Sequence, residues 1–315
     1  MNEHRCLCCG QRLNEGDAYY HKRCAQKLFL STQIPAFNYT LEELNELAKN
    51  TLLDRISVPG VQPKLSLHLE RTPHATSPRL TLVGLAGDYI LKPPSSQWAH
   101  LPEAEHFCML FAQLCKIETA TFGLIPLRTG ELAYITRRMD RDCGKMFHME
   151  DFCQILNKMT ALKYHGSMEQ IGKALRQYSI VPGLDCIRYF EVALYSFITG
   201  NSDMHLKNFS LLQRDPKRWE LSPAYDLVPV KVILPQDSEE MALTVNGKKN
   251  RLTRGDFEAL GVALKLSPIQ IQRTIQRITQ AIERHLDDAL QRSFLPLEMQ
   301  TLIKTLMTQR LQRLA

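Results

Sequence analysis

Apolar positions recur at helical or strand spacing along most of this chain, and the dominant period changes near residue 137. Leu41, Leu44, Leu47 and Ala48 keep helical spacing, and Thr40 with Glu43 forms a capping-box pattern just ahead of them. A strand-like alternation begins after Lys64, and residues 80–92 read as two strands around a Gly-containing turn. From Pro102, which suits a first helical turn, Ala104, Phe107, Cys108, Phe111, Leu114 and Cys115 line one face of a helix. Residues 131–135 read as a strand running into the polar stretch 136–141.

Beyond that point helices dominate. Residues 148–159 have a helical pattern, and 186–199 are almost wholly apolar, which predicts a buried helix delivering the loop after it. Residues 209–212 and 219–221 read as two short strands joined by turn chemistry at 213–217. Residues 241–245 predict a further strand, with a hairpin turn at Asn246-Gly247. A helical region is entered between Arg251 and Phe257. Ser267 and Pro268 then start a long helix with the stripe Ile271, Ile275, Ile278, Ile282 and Leu286. Its Gln- and Arg-rich opposite side reads as a solvated face, and a last helix is expected over about 297–314.

Strands before about 137 and helices after it predict an α+β protein of two lobes with a ligand-binding cleft. The expected divisions are a Cys/His segment at 1–30, a β-rich lobe at 31–137 and a helical lobe at 138–315. Composition changes this picture little: 44% hydrophobic and 23% charged residues are ordinary for a globular protein. The net charge of +6 suits proximity to nucleotide or nucleic acid without requiring either. No apolar run approaches a membrane span, and the first residues lack the apolar region of a secretory signal. Nine cysteines, an odd number spread through helix-like segments, predict reduced thiols in a cytoplasm.

Two constellations carry chemistry. Cys6 and Cys9, followed by His21 and Cys24, are two close pairs of soft ligands separated by a small loop. That pattern gives tetrahedral zinc with no open position, hence a structural site; the alternative is ordinary thiols and a surface histidine. The second is Asp203, Asn208 and, beyond the predicted hairpin, Asp226. The hairpin carries the chain out after Asn208 and returns Asp226 to the same end, setting two oxygen ligands where one magnesium fits. An acid beside an attacking hydroxyl with an Asn and an Asp on a metal is the protein-kinase arrangement. The bland reading is a polar loop with a solvated Asp and a capping Asn.

Seven segments in order extend this likeness: SVPGVQPK (57–64), YILKP (89–93), EHFCM (105–109), RRMDR (137–141), HMEDFCQ (148–154), GNSDMHLKNFS (200–210) and SPAYDL (222–227). Together they resemble the HipA family of serine/threonine kinases, the toxin halves of bacterial toxin–antitoxin modules. The resemblance implies a bilobal, protein-kinase-like α+β fold and a reaction that uses ATP and Mg. It implies Asp203 as catalytic base, Asn208 and Asp226 as magnesium ligands, and Lys92 on the ATP phosphates supported by Glu105. Arg137 and Met139 would contact adenine, and Gln154, Lys207 and Tyr225 would line the nucleotide site. Val58, Gly60 and Gln62 belong to the loop that would cradle the phosphates, and Ser57 matches the serine that family members autophosphorylate. His205 falls in the catalytic loop with no role assigned to it.

Two departures qualify the match. Arg137-Arg138-Met139 stands where relatives often carry Glu-Arg-Phe, so side-chain contacts at the hinge differ. About fifty residues precede Ser57, which resembles the short HipT-type kinases of three-gene systems. That likeness implies a HipS-like small protein and a DNA-binding HipB-like protein as partners, with no sequence-specific DNA contact by this chain itself. The implied substrate is an aminoacyl-tRNA synthetase. The alternatives are a small-molecule phosphotransferase and an inactive kinase-like protein that binds nucleic acid.

Overall fold

A computed structural model describes residues 4–53, 63–70, 78–84, 87–142, 144–216 and 218–315, the side chains of 49–53 excepted. Ser57, Val58, Gly60 and Gln62 lie outside the described residues. The chain divides into two compact units, one of Met1–Leu110, Ala120–Arg138 and Gln291–Leu295, the other of Phe111–Thr119, Met139–Leu290 and Pro296–Ala315. Among the described residues no helix is long and apolar enough to cross a membrane.

The first unit holds helices α1 (Lys22–Phe29) and α2 (Leu41–Leu53), then strands β1 (Leu65–Glu70), β2 (Arg79–Val83) and β3 (Tyr89–Lys92). Helix α3 (Leu101–Leu114), whose residues from Phe111 on belong to the second unit, and strands β4 (Phe122–Pro126) and β5 (Leu132–Arg137) follow. The capping box at α2 forms as the sequence predicts: Glu43 N donates to Thr40 Oγ1 at 3.1 Å and Thr40 N to Glu43 Oε2 at 2.7 Å. The five strands make one antiparallel sheet in the order β2-β1-β3-β5-β4. Its register places Leu65, Leu91, Ile135 and Gly123 in one row and Lys92, Tyr134 and Leu124 in the next. Helix α3 differs from expectation: residues 104–112 are all buried, not one face alone. Two polar side chains, Glu105 and His106, are thereby placed inside the protein, where each needs a partner.

From Met139 the second unit holds the small ribbon β6 (Arg141–Asp142) and β7 (Lys145–Met146), then β8 (His148–Asp151) and the single-turn helix α4 (Phe152–Ile155). The helical pattern at 148–159 is thus mostly strand and turn, because residues 148–151 pair with 210–213. Helices α5 (Met168–Tyr178) and α6 (Pro182–Thr199) lead to β9 (Ser210–Asp215) and β10 (Arg218–Leu221), which with β8 form an antiparallel sheet in the order β10-β9-β8. Helices α7 (Val230–Ile233), α8 (Arg254–Ala263), α9 (Pro268–Arg292) and α10 (Leu297–Gln312) complete the chain. The predicted α9 stripe is buried throughout. The turn at Asn246-Gly247 forms, with both residues at positive φ and Val245 and Lys248 exchanging backbone bonds of 2.8 and 2.9 Å. Its flanks do not continue as strands; Thr244 bridges Ser167 instead.

Candidate functional site

Helix α6 supplies a rigid support for the loop that follows. Its C-terminus is closed by Gly200 at φ 77°, with Asn201 N donating to Ser196 O at 2.8 Å in Schellman fashion. A Cβ at Gly200 would stand 2.5 Å from Leu306 Cδ2, so both conformation and space call for glycine. The chain then curls on itself. Asp203 O accepts from His205 N at 2.8 Å and from Asn208 Nδ2 at 2.9 Å, and Asp203 N reaches Asn201 Oδ1 at 3.3 Å. With its nitrogen held on the backbone, the Asn208 amide has Oδ1 as its remaining polar atom. Tyr164 OH donates to Asp203 Oδ1 at 2.6 Å, so one carboxylate oxygen is held by a neutral donor.

The β9–β10 hairpin brings the chain back. Tyr225 OH donates to Lys207 O at 2.9 Å and lies 2.6 Å from Ser210 Oγ, and burial pushes its pKa above the ordinary phenol value. Tyr225 is therefore held beside the residue preceding Asn208, and Asp226 follows it at φ 59°, a left-handed conformation uncommon for a non-glycine residue. Electrostatics agree with this return. Burial raises the Tyr164 pKa, and the charges of Asp203, Asp237 and Asp226 raise it further. Burial lowers the His205 pKa, while Asp203 and Asp226 oppose that shift. Asp203 and Asp226 thus share one electrostatic neighbourhood.

Three participants lie outside the expected site residues. Tyr164 comes from the segment before α5 and also stacks edge-on against His205, centroids 5.1 Å apart. Asp237 accepts from Ser202 Oγ at 2.5 Å and, through its backbone oxygen, from Lys231 Nζ. Asp151 pairs with Lys207 Nζ and caps α4, its Oδ1 accepting from Gln154 N at 3.0 Å. Gln154 is exposed, with Oε1 on Asp151 N at 2.9 Å. Asp151 lies within the HMEDFCQ segment, so that motif carried a signal for it.

In the first unit, Lys92 Nζ meets Glu105 Oε1 and Oε2 at 2.6 and 2.7 Å, with the two residues only 4% and 1% exposed. The ammonium also lies 5.3 Å from the ring centroid of Tyr134, its cross-strand neighbour. A buried charge needs such partners, and a two-oxygen contact meets that need. Arg137 ends β5, with its N–H on Thr121 O at 2.8 Å, and Met139 begins the main stretch of the second unit. Cys6, Cys9, His21 and Cys24 converge in the first unit, their ligand atoms all within 4.8 Å of one another.

Comparison with known proteins follows the same lines. Residues 56–286 match the family model described as the HipA-like C-terminal domain. The chain is 29% identical over 226 residues to the putative kinase Y4dM of Sinorhizobium fredii, covering 68% of this chain and 54% of that protein. It is 30% identical over 252 residues to the putative kinase Y4mE of the same organism, covering 74% and 58%. The chain thus spans little more than half the length of these curated relatives. Among solved structures, it is similar to Shewanella oneidensis HipA, determined with HipB and operator DNA, at a TM-score of 0.68 and 21% identity over 90% of this chain and 72% of that one. It is also similar to the Helicobacter pylori proinflammatory kinase CtkA, at a TM-score of 0.50 and 14% identity over 79% and 93%. These likenesses establish the α+β kinase-like fold. With the model match covering most of its length, the chain belongs to the HipA-like C-terminal domain family.

Proposed function

We propose that this protein is an ATP- and magnesium-dependent serine/threonine protein kinase. The observation that carries the reading is the closure of the hairpin: Tyr225 bonded to Lys207 O sets Asp226 in the same neighbourhood as Asp203 and Asn208. Family membership and relatives named as kinases support it. Asp203 is the base, with Oδ1 held by Tyr164 and Oδ2 left to orient or accept the proton of a substrate hydroxyl. The donor set fits magnesium: Asn208 Oδ1 and the Asp226 carboxylate are hard oxygen ligands that leave positions for phosphate and water. When bound, that ion would neutralise charge on the transferring phosphoryl group. Lys92, fixed by Glu105, contacts the nucleotide phosphates, as in the lysine–glutamate pair of kinases. Arg137 and Met139 meet adenine, while Lys207, Gln154 and Tyr225 border the nucleotide.

Ser57 would be the site of self-modification. A phosphoserine adds nearly two negative charges to a loop that Val58, Gly60 and Gln62 share, and this would oppose a triphosphate there. The toxin role, an aminoacyl-tRNA synthetase as substrate and a cytoplasmic location follow from the family resemblance. A HipB-like partner is suggested by the Shewanella complex, and a HipS-like partner by the HipT-type resemblance.

Incubation of the purified protein with labelled ATP and magnesium, followed by phosphoproteomics in a sensitive host, tests the reading. Wild type should label protein serines and Asp203→Gln should lose at least about a hundredfold in rate. Equal labelling by both proteins would overturn it. Label on a metabolite would favour a small-molecule phosphotransferase. No turnover with salt-sensitive RNA binding would favour an inactive nucleic-acid binder.

A further inference from the structure

The kinase reading leaves the Cys/His segment without a role. Cys6 and Cys9 sit on one tight turn, closed by Cys6 N to Gln11 O and Gly10 N to Cys6 O, both 2.8 Å. Gly10 permits it: φ is 66°, and a Cβ there would stand 2.3 Å from Arg292 O. His21 is the residue before α1, and Cys24 lies in that helix's first turn. His21 Nδ1 is 3.4 Å from Cys9 Sγ and 4.0 Å from Cys24 Sγ. The other ring nitrogen, Nε2, lies 2.9 Å from Arg12 O, a carbonyl that can only accept. Nε2 therefore carries the proton, and the Nδ1 lone pair is turned toward the three sulfurs. A backbone carbonyl fixing the tautomer in this way is the usual second contact of a metal-binding histidine.

We propose that Cys6, Cys9, His21 and Cys24 bind one structural zinc ion. With Zn–S near 2.3 Å and Zn–N near 2.0 Å, a tetrahedral site has S···N edges of ~3.5 Å and S···S edges of ~3.8 Å, which the cluster needs only small shifts to meet. Four protein ligands leave no position for substrate or water. The Cys8 sulfur also borders those of Cys6 and Cys24 but falls outside the mutually close four; the Cys8 carbonyl takes His106 Nε2 at 2.9 Å, and its sulfur lies against Gly123 of β4.

The site's task follows from what the segment holds. β4 is an edge strand of the five-stranded sheet. The outward N–H of Leu124 donates to Leu7 O at 2.8 Å, and the outward carbonyl accepts from Tyr20 OH at 2.5 Å. Leu7 lies between the first two ligands and Tyr20 just precedes the third. The metal thus fixes the pieces that cover an open sheet edge, which is otherwise a template for aggregation. It also organises a segment too short to build a large core of its own.

Metal analysis of the untagged full-length protein by mass spectrometry tests the assignment. About one zinc per chain is expected, falling below about a tenth in Cys24→Ser and staying full in Cys8→Ser. Should Cys24→Ser be insoluble, the wild type stripped by a chelator under reducing conditions serves. Added cobalt should then give the charge-transfer and d–d bands of a tetrahedral thiolate site, and the stripped protein should melt lower and aggregate sooner. Wild type without stoichiometric zinc that takes up no cobalt would overturn the proposal. So would full zinc retention in Cys24→Ser, or loss in Cys8→Ser equal to that in Cys24→Ser. None of these outcomes depends on phosphoryl transfer.

Discussion

Lys92 and Glu105 lie thirteen positions apart on a strand and a helix, and burial makes each depend on the other. Glu105→Gln would leave an ammonium buried beside a neutral amide, so we expect a loss of about 3–5 kcal/mol in denaturant unfolding. The double change Lys92→Met with Glu105→Leu should recover much of that stability without restoring activity. A milder change at Tyr164 separates catalysis from stability. Tyr164→Phe removes the donor to Asp203 Oδ1 from a residue that is 39% exposed. Its stability should change by less than about 1 kcal/mol, while kcat falls about tenfold and KM for ATP holds. A kcat equal to wild type would show that this hydrogen bond does not position the proposed base.

At the scale of elements, the Asp203 loop depends on how α6 ends. Gly200→Ala forces a Cβ into both an unfavourable φ and the Leu306 side chain, which predicts a loss of more than about 1 kcal/mol. A neutral result in thermal unfolding would mean that α10 yields there. Helix α10 also supports α6 through Arg310, whose guanidinium donates to Phe197 O and lies 4.9 Å from that ring's centroid. Burial lowers the Arg310 pKa to about 10, and Glu240 opposes the shift. Helices with a strong period and caps were legible in the sequence: the stripe and start of α9, the capping box of α2 and the apolar run of α6. Residues 148–151 carry a helical pattern yet form a strand, because the ladder partner β9 lies about sixty residues further on and no local period records it. The 241–245 segment has the composition of a strand and a true hairpin turn, yet its partner is the Ser167 backbone, so tertiary contact outweighed local preference.

Asp256 brings pH into the behaviour of the whole molecule. Burial opposes its charge, but bonds from Lys248 Nζ at 2.8 Å, Asn246 Nδ2 at 3.0 Å and Thr253 N at 2.9 Å outweigh burial and hold its pKa well below the ordinary carboxylate range. The folded state then binds fewer protons than the unfolded chain wherever the unfolded carboxyl is protonated. The stabilisation is complete above an unfolded pKa of about 3.9 and is lost as pH falls from there toward the folded value. Asp256→Asn should therefore be less stable than wild type at pH 7 by about 2 kcal/mol, with the gap narrowing steadily below about pH 4. A constant gap across that range in denaturant titrations would show that the charge is not the source.

What the sequence determined by itself was the inventory: which stretches bury a face, where helices begin, and which acids, amides and thiols recur at spacings that chemistry can use. Spacing along the chain was enough for Cys6 and Cys9 and for Asp203 and Asn208, because one turn sets each pair's geometry. Tertiary structure alone decided the rest. It enclosed α3 on all sides, so that Glu105 meets Lys92 inside the protein, and it brought Tyr164 and Asp237 to the Asp203 loop from separate segments. The physical reason is that local periodicity encodes burial and backbone form. The partner of a polar group is chosen by whichever distant segment the packed core carries to it.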